Sequence, residues 1–365
     1  MRINKIIIAK LEIPLIRPFI TAVRQTTMVE DIVVIMLTDS GVHGFGAAAA
    51  TPALTGESSE SIIAAVRLIA AKLIGKEIAN FEELLRLIQN SLPHNTSAKA
   101  ALDIALYDLI AKSVNLPLYK FLGGGSPELN ILTTVSLKDL PAMVRDAQLF
   151  AAQGFSTLKL KVGQDPLEDI ARISAIRHAV GAQVNLVIDA NQGWHPKAAL
   201  QIIDSLVTQQ LDITLVEQPV KAWDYAGLKY VRDNSRLAIY ADEAAFSLQD
   251  ATRIITQQLA DGINLKLMKS GGIYAAQSIY ALASSYNLPC MAGCMLESPI
   301  SLAAMASFVA GRSNIKFIDL DPIAMIKTNP VHGGVSLSGA CLTLSNLPGL
   351  GISHVEGLQI IATLD

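Results

Sequence analysis

The sequence predicts an α/β fold, a modified TIM barrel of the (β/α)7β type with an α+β capping domain built from both termini. Two observations lead to this prediction. Short apolar runs that are typical of buried strands each end in a polar residue, and these ends recur at a nearly constant spacing. Helical patterns fill the intervals, and strand plus helix at such a spacing is the unit of a parallel sheet. The strand ends are Thr134, Lys161, Asp189, Glu217, Asp242, Lys266, Cys294 and Asp319.

Apolar residues recur at helical spacing between these strand ends. Eight strands and seven intervening helices make a barrel, and the catalytic groups of such barrels come from the carboxyl ends of the strands. We therefore expect the polar strand ends to converge on one face. The clearest helical segments are 167–180, 196–210, 248–258 and 273–286.

The chain before the barrel predicts an antiparallel sheet. Residues 3–13, 31–38 and 42–46 read as strands, with a turn at Ser40-Gly41. Residues 15–29 show no clear period and are long for a hairpin connection, so we interpret them as a functional loop.

Helices are expected next, and the last of them has a candidate N-cap. Ser97 precedes an apolar periodic segment, and serine is a preferred N-cap residue. The helical patterns cover 59–73, 81–92 and 98–112.

The barrel repeat stops after the eighth strand. Asp321-Pro322 ends that strand, and residues 337–344 predict one further strand rather than an eighth helix. We therefore expect the C-terminal end to return to the N-terminal domain. The expected domains are a cap with specificity loops at 1–125, the barrel at 126–322 and a C-terminal segment completing the cap at 323–365.

Composition argues against several classes of function. With 365 residues, 51% hydrophobic, the chain can bury a large core, and its net charge of −3 argues against a nucleic-acid partner. No stretch approaches the about 20 apolar residues of a membrane span. Three cysteines without metal-site spacing are typical of a reducing compartment. We expect a cytoplasmic protein that acts on a small molecule, without a nucleic-acid or membrane partner. The sequence leaves both a monomer and a homo-oligomer open.

Three consecutive strands end in carboxylates, at Asp189, Glu217 and Asp242. A single acidic residue after a strand is usually a turn or capping residue, but three at near-constant spacing are poorly explained by coincidence. Hard oxygen ligands suit Mg²⁺, so the sequence predicts one Mg²⁺ per subunit. Glu243 points away from Asp242 in a strand and is expected to be a structural partner, while His195 is expected to lie in the loop after the strand or at the start of the next helix.

Lysines accompany these carboxylates. Lys159 and Lys161 lie two positions apart and therefore project from one face of a strand, where two ammonium groups need nearby anions. Lys161 and Lys266 close the second and sixth strands, on opposite sides of the barrel. This placement indicates two bases that face one carbon atom from opposite sides. We expect nearby cations to lower their pKa from the ordinary value of about 10.4.

Taken together, these residues resemble the enolase superfamily, in its muconate-lactonizing branch. That resemblance covers nearly the whole chain and implies a capped (β/α)7β barrel with an essential Mg²⁺ on the three carboxylates. It also implies that Lys161 and Lys266 are the catalytic acid/base pair, moving a proton on the carbon next to a carboxylate. The matching segments are Lys159-Leu160-Lys161, Asp189 in IDANQGW, Glu217 in VEQP, Asp242 in ADE and Lys266 in KLMKSGG.

Two further features resemble the dipeptide epimerases, of the L-Ala-D/L-Glu epimerase type. Asp319-Leu320-Asp321 is similar to the D-x-D motif that binds the free ammonium of their substrate, and Arg24 lies where they carry an arginine for a glutamyl carboxylate. The resemblance implies an epimerase that inverts an α-carbon by 1,1-proton transfer through a metal-stabilised enediolate. The other residues expected to line the substrate pocket are Thr134, Lys159, Cys294 and Leu296.

The sequence departs from these relatives at one position and leaves other reactions open. Relatives commonly read G-x-G-E after the third strand, where this chain has Ala47 in GFGA, and Ile20 occupies the first loop; both bear on side-chain preference. The alternatives are an N-acylamino acid racemase or a dehydrating synthase similar to o-succinylbenzoate synthase. A more remote alternative is a non-catalytic barrel that binds metal.

Overall fold

The computed structural model describes all 365 residues, in seventeen strands and fourteen α-helices. The strands are β1 (Ile3–Ile20), β2 (Gln25–Thr38), β3 (His43–Ala49), β4 (Glu128–Asn130), β5 (Thr133–Val135), β6 (Thr157–Lys161), β7 (Asn185–Asp189), β8 (Ile213–Glu217), β9 (Ala238–Ala241), β10 (Gly262–Leu265), β11 (Cys290–Ala292), β12 (Ile315–Ile318), β13 (Val331–Gly333), β14 (Val335–Ser338), β15 (Cys341–Leu344), β16 (Ile352–Val355) and β17 (Gln359–Leu364). The helices are α1 (Pro52–Thr55), α2 (Ser59–Ala70), α3 (Phe81–Asn90), α4 (Thr96–Ser113), α5 (Leu118–Phe121), α6 (Leu140–Ala152), α7 (Pro166–Val180), α8 (Pro196–Thr208), α9 (Tyr225–Asn234), α10 (Leu248–Gln257), α11 (Leu267–Ser270), α12 (Ile273–Ser285), α13 (Pro299–Val309) and α14 (Pro322–Met325).

Strands β5 to β12 form the predicted barrel. They are neighbours in chain order in one 8-stranded sheet, and at least one helix follows each of the first seven. The Leu132 N–H donates to the Ile318 carbonyl at 2.9 Å, which joins the two ends of the sheet. Lys161 lies opposite Asp189, and Asp189 lies opposite Glu217, in the parallel ladders. The polar strand ends therefore lie level with one another at one end of the barrel.

A layer of apolar side chains fills the barrel beneath these polar ends. Strand alternation points residues two positions apart to the same face, so Val187, Leu215 and Tyr240 face inward below the three carboxylates. They pack with Leu132 and Met291 in a small buried cluster. Such layers are the usual filling of a closed barrel, and this one forms an apolar floor under the charged groups.

A second, antiparallel sheet has the order β17-β1-β2-β3; we call this sheet and helices α1 to α5 the cap. Residues 15–29, which we interpreted as a loop, instead prolong the β1–β2 hairpin, since Phe19 pairs with Thr26 and Ile20 with Gln25. The register breaks between Pro14 and Phe19, because proline has no N–H to donate to a ladder. That break hid the strand alternation in the sequence.

Helix α4 packs directly on β3. A Cβ at Gly46 would collide with the main-chain oxygen of Ala101, so glycine is needed for this close approach. The predicted N-cap at Ser97 is wrong, because the helix starts at Thr96. The Glu57 carboxylate instead accepts from the Ser97 N–H at 2.9 Å, a partner too distant in sequence for local patterns to reveal.

The C-terminal end adds strands to two regions of the molecule. Residues 337–344 do not form one strand: β14 and β15 are a hairpin, and β15 pairs with β4. Farther on, β17 pairs antiparallel with β1, with Ile6 opposite Leu364. None of the helices is both long and apolar enough to cross a membrane.

Candidate active site

Three carboxylates meet at the carboxyl end of the barrel. Asp189 and Glu217 end their strands, Asp242 follows β9 directly, and all three are buried. One oxygen from each lies within 4.8 Å of the others. Glu217 Oε2 and Asp242 Oδ1 accept no hydrogen bond of normal geometry, although Lys159 and Lys269 form ion pairs with them at 2.7 and 2.6 Å. A buried set of oxygen donors with unsatisfied atoms fits a hard divalent cation such as Mg²⁺.

The two lysines of β6 point into this carboxylate cluster, as strand alternation predicts. The Lys159 ammonium lies 3.0 Å from Asp189, 2.7 Å from Glu217 and 2.9 Å from Asp319. The Lys161 ammonium donates to Asp189 Oδ2 at 2.6 Å. Burial favours the neutral form of Asp189, but the charges of Lys159 and Lys161 outweigh it and lower the Asp189 pKa to about 2.

Lys266 approaches from the other side of the barrel. It follows β10, and its ammonium donates to Asp242 Oδ2 at 2.6 Å. Burial lowers the pKa of Lys266, but the charges of Asp242, Glu217 and Glu243 outweigh burial and raise the pKa above its ordinary value. The pKa of Lys159 is raised for the same reason. The lowered pKa expected from the sequence depends on Lys159 and a bound cation; in the protein alone, the carboxylates around Lys266 outweigh the charge of Lys159.

Two amides that were not predicted from the sequence support the residues of this cluster, one at a carboxylate and one at the main chain. The Asn264 side chain donates to Glu217 Oε1 at 2.8 Å, and the Gln218 side-chain oxygen accepts from the Asp242 N–H at 2.9 Å. Asn264 precedes Lys266 by two residues and therefore shares its inward face. Strand alternation alone could have identified it.

Asn191 and Glu243 form another buried pair beside the cluster. The Asn191 main chain donates to Asp189 Oδ1 at 2.9 Å, and its amide donates to Glu243 Oε1 at 3.2 Å. Glu243 is thus bound by a protein group, as expected for a structural partner. His195 is exposed and immediately precedes α8, which agrees with its expected place at a helix start.

The two aspartates after β12 form a second acidic site. Asp321 Oδ2 accepts from the Thr134 N–H at 2.6 Å and from the Thr133 hydroxyl at 3.2 Å. Burial, followed by the charge of Asp319, raises the Asp321 pKa to about 7. The Cys294 thiol donates to the Asp319 carbonyl at 3.1 Å. Because Lys159 contacts Asp319, this acidic site is joined to the carboxylate cluster.

A cleft lies between the β1–β2 hairpin and the barrel. Arg24 lies in this cleft, 5.9 Å from the centre of the Phe19 ring and without an acidic partner. Burial lowers the Arg24 pKa to about 10, which still leaves the guanidinium charged at neutral pH. The cleft also contains the other expected pocket residues Thr134, Cys294, Leu296, Asp319 and Asp321.

Known proteins resemble this chain over nearly its full length. The L-Ala-D/L-Glu epimerase of Clostridium acetobutylicum is 45% identical over 98% of this chain and 100% of its own length. The substrate-liganded L-Ala-D/L-Glu epimerase from Bacillus subtilis has a TM-score of 0.96 at 42% identity, covering 97% of this chain and 99% of that one. A dipeptide epimerase from Enterococcus faecalis V583, complexed with Mg and L-Leu-L-Tyr, has a TM-score of 0.94 at 37% identity, covering 97% and 100%.

Two family descriptions also match. "Mandelate racemase / muconate lactonizing enzyme, N-terminal domain" matches residues 3–123, and "Enolase C-terminal domain-like" matches residues 142–357. These matches confirm the resemblance that the lysines and carboxylates predicted. The chain therefore belongs to the mandelate racemase/muconate lactonizing enzyme family of the enolase superfamily.

Proposed function

We propose that this protein is a Mg²⁺-dependent dipeptide epimerase. The observation that carries the proposal is the placement of Lys161 and Lys266, which contact carboxylates on opposite sides of one buried cluster. Epimerisation requires a proton to leave one face of a carbon atom and to return to the other face. Two lysines on opposite sides of a ring of strands suit that requirement.

Asp189, Glu217 and Asp242 would hold the cation. Removing the α-proton of a carboxylate leaves an additional negative charge on the substrate, and bound Mg²⁺ would supply the electrostatic stabilisation for it. The buried Asn264 amide keeps the Glu217 carboxylate oriented, and the Gln218 amide holds the main chain of Asp242.

Which lysine acts as the base depends on the stereochemistry of the substrate. For one epimer, a neutral Lys161 takes the α-proton and a protonated Lys266 delivers one to the opposite face; for the other epimer, the roles are reversed. The layer beneath the cluster contains one titratable group, the Tyr240 phenol, and burial raises its pKa to about 12, so at neutral pH it does not compete for the proton. Each lysine is within reach of a carboxylate that can stabilise its charged form.

Substrate recognition uses opposite charges at the two walls of the cleft. Asp319 and Asp321 would bind the free ammonium of the N-terminal residue, and Arg24 would bind a side-chain carboxylate of the residue whose α-carbon is inverted. L-Ala-D/L-Glu or a related acidic dipeptide satisfies both requirements. Two relatives that are 45% and 43% identical to this chain are L-Ala-D/L-Glu epimerases, which supports the same class of substrate.

Incubation of L-Ala-L-Glu with the protein and Mg²⁺ in D₂O tests the proposal. We expect deuterium to replace the glutamyl α-proton as the L,D epimer accumulates, measured by proton NMR. N-acetyl-L-Ala-L-Glu is the matched control, and it should react much more slowly because it has no ammonium for Asp319 and Asp321. Equal rates for both compounds would favour an N-acylamino acid racemase, and no exchange in any dipeptide would contradict epimerase activity.

A further inference from the structure

We propose that Lys269 is a positioning residue that holds the Asp242 carboxylate in place and leaves Lys266 as the lysine free to move. This role rests on the proposed metal centre. Lys269 is only 2% exposed, and its ammonium lies 2.6 Å from Asp242 Oδ1. It also donates to the main-chain carbonyls of Asp242 and Asn264. Of the three N–H donors of the ammonium, two therefore donate to main-chain oxygens, and its charge forms an ion pair with the Asp242 carboxylate.

The two lysines on Asp242 differ in how firmly the protein holds them. The Lys266 ammonium has a single protein partner, Asp242 Oδ2 at 2.6 Å. Two of the three Lys269 contacts are to main-chain oxygens, which cannot move without moving the strand. When a cation or a substrate approaches Asp242, Lys266 can therefore leave while Lys269 stays.

The same lysine is linked to a second carboxylate of the cluster. Its acceptor at 2.9 Å is the Asn264 carbonyl, and the Asn264 side chain donates to Glu217 Oε1 at 2.8 Å. Lys269 thus fixes one carboxylate directly and adjoins the residue that orients another. Groups that orient metal ligands typically change metal affinity when they are removed.

The cap holds the turn that carries Lys269. Helix α11 is followed by Gly271 and Gly272, whose φ angles of 92° and 113° favour glycine. The Gln89 side chain donates to the Gly271 carbonyl at 2.6 Å, and the Asp103 carboxylate accepts from the Ile273 N–H at 2.6 Å. This arrangement explains the two glycines that end the segment KLMKSGG.

Calorimetric titration with Mg²⁺, in the absence of substrate, tests the role directly. Lys269→Met keeps the length and apolar stem of the side chain but removes the ammonium, so we expect Mg²⁺ affinity to fall by roughly 10- to 100-fold. Met268→Leu is the matched control, since it changes the adjacent buried residue without touching a polar group, and its affinity should stay near that of the wild type. Lys269→Gln, a smaller side chain, provides a second variant if the methionine protein does not fold.

The outcomes separate this role from the proposed function. A wild-type protein that binds no Mg²⁺ would contradict the metal centre and, with it, the role of Lys269. Wild-type binding together with equal or tighter binding by folded Lys269→Met or Lys269→Gln would overturn the role of Lys269 alone. Loss of dipeptide turnover without a change in Mg²⁺ affinity would also overturn it, because positioning of Asp242 must appear in the binding of the cation.

Discussion

At the scale of single residues, the site separates a lysine that is held from lysines that can react. Lys159 contacts three carboxylates at once, and that arrangement stabilises its charged form. Lys161 and Lys266 each bind one carboxylate oxygen. We therefore assign proton transfer to these two residues and a substrate-binding, charge-balancing role to Lys159.

Replacing either reactive lysine should stop epimerisation. We expect Lys161→Ala and Lys266→Ala each to lose at least the ~10²- to 10⁴-fold that general acid/base catalysis contributes. Each variant should still exchange the α-proton of the epimer that faces the remaining lysine, measured by NMR in D₂O. Lys316→Ala, at an exposed position of β12, is the control and should retain full activity. Unchanged turnover in either variant would remove that lysine from the mechanism.

Arg24 should decide the preference for acidic dipeptides. Arg24→Ala should weaken kcat/KM for glutamyl dipeptides by an amount equivalent to about 1.5–3 kcal/mol, the worth of a charged hydrogen bond. Apolar dipeptides should be little affected. Arg17→Ala is the control from the same hairpin, because Arg17 binds Asp146 at 2.8 Å instead of facing the cleft. An equal loss for all dipeptides in Arg24→Ala would contradict an acidic preference.

At the scale of elements, a side chain from a helix of the cap domain binds the N-terminal end of a barrel helix. Asp103 of α4 is fully buried and accepts from the N–H groups of Ile273 and Tyr274, at the start of α12. A Cβ at Gly272 would collide with the Asp103 side chain, so the glycine permits this contact. The junction therefore fixes the turn that follows Lys266.

The Asp103 carboxyl should make this junction sensitive to pH. Burial raises its pKa in the folded protein to about 8, whereas an unfolded aspartate titrates near 3.9. Between these values the folded protein retains a proton that the unfolded chain has lost, so the free energy of unfolding should fall as pH rises. Asp103→Asn removes this titration. In denaturant unfolding, the free energy of unfolding of the wild type, relative to that of the variant, should fall between pH 5 and pH 8.

A matched substitution tests whether the effect belongs to Asp103. Asp165→Asn changes an exposed aspartate that caps its own helix, α7, and it should not reproduce the trend. A pH dependence that is identical in wild type and Asp103→Asn would contradict the assignment.

Strand alternation and spacing predicted the elements that carry chemistry, because the barrel repeats one local pattern. Lys161, Asp189 and Glu217 end their strands as expected, and Asp242 follows its strand directly. The β1–β2 hairpin and the Glu57 partner of α4 could not be predicted in this way. The register break between Pro14 and Phe19 hides the alternation that extends the hairpin. Glu57 lies 40 residues before Ser97, and no local period records a contact at that separation.

At the scale of the whole molecule, lysines of the protein itself pair with four of the buried carboxylates of the site. Four carboxylates meet four lysines, and ion pairs of 2.6 to 3.0 Å connect them. Buried charges are tolerated when they are paired. The carboxylates are Asp189, Glu217, Asp242 and Asp319, and the lysines are Lys159, Lys161, Lys266 and Lys269.

Removal of the metal should therefore abolish activity without unfolding the protein. After treatment with EDTA, we expect epimerisation to stop, far-UV circular dichroism to remain unchanged and thermal unfolding to remain cooperative. Added Mg²⁺ should restore turnover. Loss of the folded signal on chelation would show that the lysines do not balance the carboxylates, and full activity of a metal-free protein would contradict the metal centre.

The pairing of β17 with β1 has a consequence for biosynthesis. Residues 359–364 complete a sheet whose first strand begins at Ile3, so the ribosome makes β1 long before it makes β17. During synthesis, the outer edge of β1 stays open, and open edges invite pairing with other chains. Translation that stops just before residue 359 would release a barrel that has every catalytic lysine but leaves one edge of β1 unpaired. Such products should aggregate more readily, and depend more on chaperones, than the chain that includes β17.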